Sequence, residues 1–145
     1  MTRNIYIFII CLLANIAYAD NNSGIDFYKA GEPDIAKKLF EEQLNSSPAE
    51  KAVALYYIGE IAFDAGRPAE ALDYYKQGWE TNPEYAFNKV GEGKILLKTD
   101  RPAAEKAFAA AVKVNKKNAE TYVAIASAYS TNGMEAEAAT SLENA

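Results

Sequence analysis

At 145 residues, half of them apolar and 24% charged, the chain has the make-up of a single folded domain. It contains no histidine and one cysteine, Cys11, which excludes Ser-His-Asp and Cys-His catalysis, imidazole general bases and histidine-ligated metals. A net charge of −5 argues against nucleic acid or an anionic membrane surface as the main partner.

Residues 1–19 read MTRNIYIFIICLLANIAYA: one cation, Arg3, an apolar run from Ile5 to Ile16 broken only by Asn15, then Ala17-Tyr18-Ala19. A charged start, a short hydrophobic stretch and a small-x-small site form the pattern of a secretory signal peptide, so export and cleavage near Ala19 are expected. As a helix the run reaches roughly 18 Å against a hydrocarbon core of ~30 Å, too short for a permanent anchor. Contact with a membrane is therefore expected only in passing, through the leader. Cys11 follows the bulky Ile10 in the middle of the run, which argues against lipoprotein processing. Its removal leaves a domain of residues 20–145 without thiols, which helix packing alone must stabilise.

The remaining chain repeats itself. Ala36, Ala71, Ala104 and Ala138 recur at intervals of 35, 33 and 34 residues, and Phe40, Tyr75, Phe108 and Leu142 keep the same steps. A second register runs ahead of them: Leu55, Phe87 and Tyr122, then Ile58, Val90 and Ile125, then the small residues Gly24, Gly59, Gly91 and Ala126. Each unit resolves into two helices. In the second, Leu55, Ile58, Ala62 and Ala65 fall at helical spacing, Gly66 is the natural left-handed stop, and Pro68 opens a helix marked by Ala71, Leu72, Tyr75 and Trp79. Ser47-Pro48-Ala49-Glu50 has the form of a capping box, Asn82-Pro83 repeats that punctuation, and Asp100 and Asn118 are expected N-caps further on. Small residues are needed where the two helices of a hairpin cross, with Gly59 against Tyr75 and Ala126 against Leu142 as the expected pairings.

The run Leu55-x2-Ile58-Gly59-x2-Ala62, followed by Gly66, Ala71, Tyr75 and Pro83, resembles the tetratricopeptide repeat. The resemblance covers units at about 20–49, 50–83, 84–117 and 118–145, and implies an all-α, right-handed α-solenoid of about four helix hairpins. The third unit departs from the pattern: it has an extra residue around Thr99, no turn glycine, and Lys94 where an apolar residue is usual. The first has a short opening helix lacking the large early apolar residue.

Members of that family are docking platforms whose first helices line a concave groove, so the resemblance implies a non-catalytic protein-binding scaffold. Carried over unit by unit, the groove residues are Ile25 and Tyr28; Tyr56, Glu60, Phe63 and Asp64; Asn88, Glu92, Ile95 and Leu96; and Val123, Ser127 and Ser130. Aromatic faces flanked by carboxylates suit an apolar segment carrying Lys or Arg. Equally, Tyr56 and Phe63 are candidates for plain packing between hairpins. A carboxylate-gripping groove is rejected: Tyr56, Glu60 and Glu120 stand near the required places, and only Lys89 has the right sign.

Other signals are weaker. Gly91-Glu92-Gly93 lacks the third glycine and preceding strand of a phosphate loop. Lys113, Lys116 and Lys117, near Arg101 and Lys106, read as solvated helix ends. Paired carboxylates such as Glu41-Glu42 have no apolar surroundings to raise a pKa, so no catalytic role, metal or cofactor is expected. The last helix, with Ala138, Leu142 and Ala145, leaves an apolar edge suited to self-association or to further repeats, which makes a larger envelope or secretion scaffold the alternative reading.

Overall fold

The computed structural model describes residues 23–145, which form eight helices and no strands. The expected leader lies outside the described residues. Helix α1 covers residues 23–29, and α2 spans Pro33–Gln43, α3 Pro48–Asp64, α4 Pro68–Thr81, α5 Phe87–Leu96, α6 Arg101–Val114, α7 Ala119–Thr131 and α8 Glu135–Glu143. They pair as four antiparallel hairpins. Within the last three, α3 packs on α4, α5 on α6 and α7 on α8, while α3–α5 and α5–α7 contacts carry the stack along its first helices. No hairpin buries both faces of its helices by itself, so each depends on its neighbour.

Local chemistry explains where helices begin. Ser47 accepts the Glu50 amide while the Glu50 carboxylate accepts the Ser47 amide, closing the expected capping box at α3. Asp100 caps α6 through the Ala103 amide, and Asn118 caps α7 through the Glu120 amide. Proline occupies the first turn of α2, α3, α4 and α6, where its missing N–H has no cost.

Three hairpins turn in one way. Gly66 sits at φ 74°, its amide donates to the Phe63 carbonyl, and the Arg67 amide donates to Ala62, the paired bonds of a Schellman stop. Gly31 and Gly133, at φ 79° and 72°, repeat both bonds. The third hairpin has no such glycine. Its Thr99 and Asp100 amides both donate to the Leu96 carbonyl instead, at 3.0 and 2.7 Å, which takes up the extra residue without a left-handed conformation.

The core is built from rings of the second helices laid over glycines of the first. A Cβ on Gly24 would lie 2.8 Å from Phe40, and one on Gly59 2.6 Å from Tyr75 as expected. In the third hairpin the register differs from the sequence alignment. Gly93, not Gly91, meets Phe108, and Gly91 abuts the preceding hairpin's Tyr75. The reason is the late start of α5: Asn82 accepts the Glu84 amide, and Pro83 lies in a turn rather than a first helical turn. This displaces the faces of α5 relative to α3.

Asn88 corrects a sequence expectation. The repeat interval puts it in the groove, yet it is fully buried, seated on Gly78 of α4 and donating to the Ala52 carbonyl of α3 at 3.0 Å. The turn that delays α5 rotates Asn88 into the seam between the second and third hairpins.

Two kinds of glycine should respond differently to substitution. Gly59→Val and Gly91→Val each drive a side chain into the Tyr75 ring and should cost about 2–3 kcal/mol in urea unfolding. Gly66→Ala meets nothing within 4 Å and should cost only about 1–2 kcal/mol, the penalty of a left-handed alanine. Equal midpoints for Gly59→Val and wild type would refute the wedge.

Candidate functional site

The wall made by α1, α3, α5 and α7 gathers most of the candidate residues. At its centre Glu60 of α3 receives three interactions. Lys94 of α5 donates to both carboxylate oxygens at 2.7 and 2.9 Å, and the Tyr75 hydroxyl of α4 donates to Oε1. The pair is largely enclosed, with side-chain exposures of 12% for Lys94 and 14% for Glu60. Lys94 Nζ also lies 4.1 Å from the centre of the Phe63 ring, so one cation serves a carboxylate and an aromatic face together. The break in the third unit's apolar pattern is thereby explained: Lys94 is the counter-ion of Glu60.

Two further carboxylates of the wall are engaged as well. Asp64 accepts from the Tyr28 hydroxyl at 2.8 Å, joining the first two hairpins. Glu92 pairs with Lys89, whose ammonium lies 5.3 Å from the centre of the Trp79 ring. A free acidic lining awaiting a basic segment is therefore not what these side chains form. Glu60 and Glu92 are paired with lysines, and Asp64 is hydrogen-bonded to a phenol.

Tyr56 is half packing and half surface. Its ring centre lies 5.1–5.9 Å from those of Tyr57, Tyr75, Tyr85 and Phe87, linking α3 to the turn before α5. With Glu60, Lys94, Ala124 and Ser127 it also borders a cleft of about 90 Å³ that spans α3, α5 and α7. Val123, 49% exposed, and Ser127 stand free on α7. Phe63 and Ile95 lie elsewhere, in a separate cavity at the hairpin turns with Pro68 and Lys98. Thus Tyr56, Glu60 and Ser127 share one cleft, Phe63 and Ile95 share another, and Asn88 belongs to neither. Lys94, Lys98 and Tyr85 are not among the expected site residues. Only Lys94 carries a signal in the sequence, as a charge at a position that repeats usually fill with an apolar side chain.

Burial raises the phenol pKa of Tyr56, Tyr75, Tyr28 and Tyr85 well above the ordinary 10.0, and the negative charge of Glu60 adds to each. Among the described residues no group of three acidic, cysteine or histidine side chains is placed to hold a metal, and no helix is long and apolar enough to cross a membrane.

The tetratricopeptide repeat family model matches residues 21–85. No curated protein matches the chain. Among solved structures, TTC0263, a thermophilic TPR protein of Thermus thermophilus, is 22% identical, with 86% of this chain and 70% of that one covered and a TM-score of 0.65. MamA is 18% identical over 96% of this chain and 81% of its own, with a TM-score of 0.59. The second TPR of Spaghetti (RPAP3), solved bound to the HSP90 peptide SRMEEVD, is 21% identical over 72% and 94%, with a TM-score of 0.51. At these identities the likeness is one of fold.

Removing one member of the central pair should cost more than removing both. Lys94→Ala and Glu60→Ala are each expected to lose about 3 kcal/mol in chemical unfolding, and Glu60→Gln with Lys94→Met well under half of that. The tyrosines set a pH dependence. Because their native pKa values are raised, their contribution is intact below pH 10.0 and is lost as pH climbs beyond it. Stability should fall by about 1.4 kcal/mol per pH unit for each tyrosine that keeps its proton. Tyr75→Phe should make the fall shallower, as followed by thermal unfolding alongside phenolate absorbance.

Proposed function

From an all-α solenoid whose residues 21–85 match the tetratricopeptide repeat, we propose a non-catalytic protein-binding scaffold that docks a segment of another protein along the wall of α1, α3, α5 and α7. The observation that carries it is the cleft spanning three hairpins at Tyr56, Glu60, Lys94 and Ser127, with Val123 exposed beside it. A cleft shared by successive first helices presents one continuous track to an extended or helical segment, which a single hairpin lacks. The RPAP3 repeat domain, of the same fold, was solved holding a peptide, which supports the reading.

The partner is a protein or peptide with apolar side chains rather than nucleic acid, in keeping with the net charge of −5. The leader pattern supports work in an exported compartment, periplasmic or secreted, after cleavage near Ala19. A second reading, a self-associating subunit or an N-terminal module of a larger scaffold, draws on α8, where the apolar Leu142 is 53% exposed.

Photo-reactive side chains placed at Val123, Ser127, Leu142 and the outward Glu41 of the full chain in its native host separate these readings. Docking gives a discrete heterologous adduct from Val123 and Ser127 that Val123→Glu reduces about tenfold, and none from Glu41. Adducts only between copies of the chain, and only from Leu142, would replace docking by self-association. Fractionation with N-terminal sequencing should find the processed chain outside the cytoplasm beginning near Asp20; an intact Met1 in the cytoplasm would end the export proposal.

A further inference from the structure

The second and third hairpins border an open hollow of about 320 Å³ at their turns, which shares only Lys94 with the cleft at Tyr56. Phe63, Gly66, Pro68, Ile95, Lys94 and Lys98 line it. The volume is in the range of ligand-sized sites and corresponds to roughly ten waters, room for one large apolar side chain and its backbone. Gly66 leaves one rim low, since even a Cβ there would meet nothing within 4 Å.

The two lysines are not equivalent. Lys94 is committed to Glu60 and to the Phe63 ring. Lys98 is exposed and its ammonium has no ion-pair partner among the described residues. The departures of the third unit from the repeat pattern meet at this spot: the charge at position 94, the glycine-free turn and the additional residue around Thr99, next to the exposed Lys98. On the inner wall Glu60 and Glu92 have lysine partners and Asp64 accepts from the Tyr28 hydroxyl. Here an unpaired cation stands beside an apolar hollow.

We propose that this cavity anchors a partner polypeptide by one large apolar side chain set against Phe63, Pro68 and Ile95, with Lys98 pairing a carboxylate one or two residues further along the same segment. The inference rests on the docking reading for taking the ligand to be a polypeptide, and it specifies that ligand's chemistry: acidic beside apolar, where the sequence alone suggests basic beside apolar. Burial of the apolar side chain supplies affinity. The exposed charge pair supplies selectivity, and its effect declines with salt.

The test uses three heptapeptides sharing a central leucine–phenylalanine pair and differing in the next two residues, which are glutamate, serine or lysine. Each is titrated into the full chain while backbone amide shifts are followed. The expected result is perturbation of Gly66, Ile95 and Lys98, with the glutamate peptide bound about fivefold tighter than the lysine one at low salt. Lys98→Gln, at an exposed position that leaves the fold intact, should equalise the peptides, and Lys98→Glu should reverse their order. Equal affinities in wild type, or no binding by any peptide, overturns the proposal. Shifts confined to Val123 and Ser127 overturn it while leaving docking on the wall standing. Self-association that Lys98→Glu abolishes would put a second copy in the cavity and overturn it too.

Discussion

The ring of Tyr75 is the piece on which the neighbouring elements depend. It enters from α4 and lies between two glycines, Gly59 of its own hairpin and Gly91 of the next, so that three helices converge on one side chain. Such an approach needs the absence of a Cβ on both sides, because interiors are packed too closely to yield the missing ångström elsewhere. Its hydroxyl then meets Glu60, which holds Lys94 from α5. A steric wedge and an enclosed charge pair thus act at the same seam. The wedge sets how closely the second and third hairpins approach, and the pair fixes their relative register, since a slip along either helix would strand a charge away from water.

That seam decides the character of the inner wall. Counted by residue type, the wall is acidic and aromatic. Assembled, three of its acids are occupied: Glu60 by Lys94 and Tyr75, Asp64 by Tyr28, Glu92 by Lys89. What remains for an incoming segment along the second and third hairpins is aromatic and aliphatic surface, the hydroxyl of Ser127, and beside the hollow at their turns the unpaired cation Lys98. Such a surface derives affinity mainly from apolar burial and uses charge for discrimination. The solenoid geometry contributes length, because a wall built from successive hairpins offers several small hollows in series rather than one deep pocket.

Much of the architecture is legible without coordinates, and the legible parts share a cause. The capping box at Ser47, the glycine stops at residues 31, 66 and 133, and the proline-led helix starts are decided within a few residues of chain. The pairing of Gly59 with Tyr75 is legible too, since both lie in one hairpin. The departures arise at the third hairpin and its seam with the second. Asn88 looks like a groove residue by its interval and is instead buried against Gly78 and Ala52. Gly91 keeps the small-residue interval of Gly59, yet it meets Tyr75 of the preceding hairpin, and Gly93 takes the place against Phe108.

By itself, then, the amino-acid order determined the repeating unit, its helix ends and the small-against-large logic of its core, because capping, left-handed glycine and helical period are local properties. Only the tertiary structure decided which face of α5 turns inward, which carboxylates are already neutralised and where a cation is left unpaired. Those outcomes depend on the rotation of helices about 34 residues apart. Two turns set that rotation, at 82–86 and 97–100, whose conformations the repeat pattern does not specify.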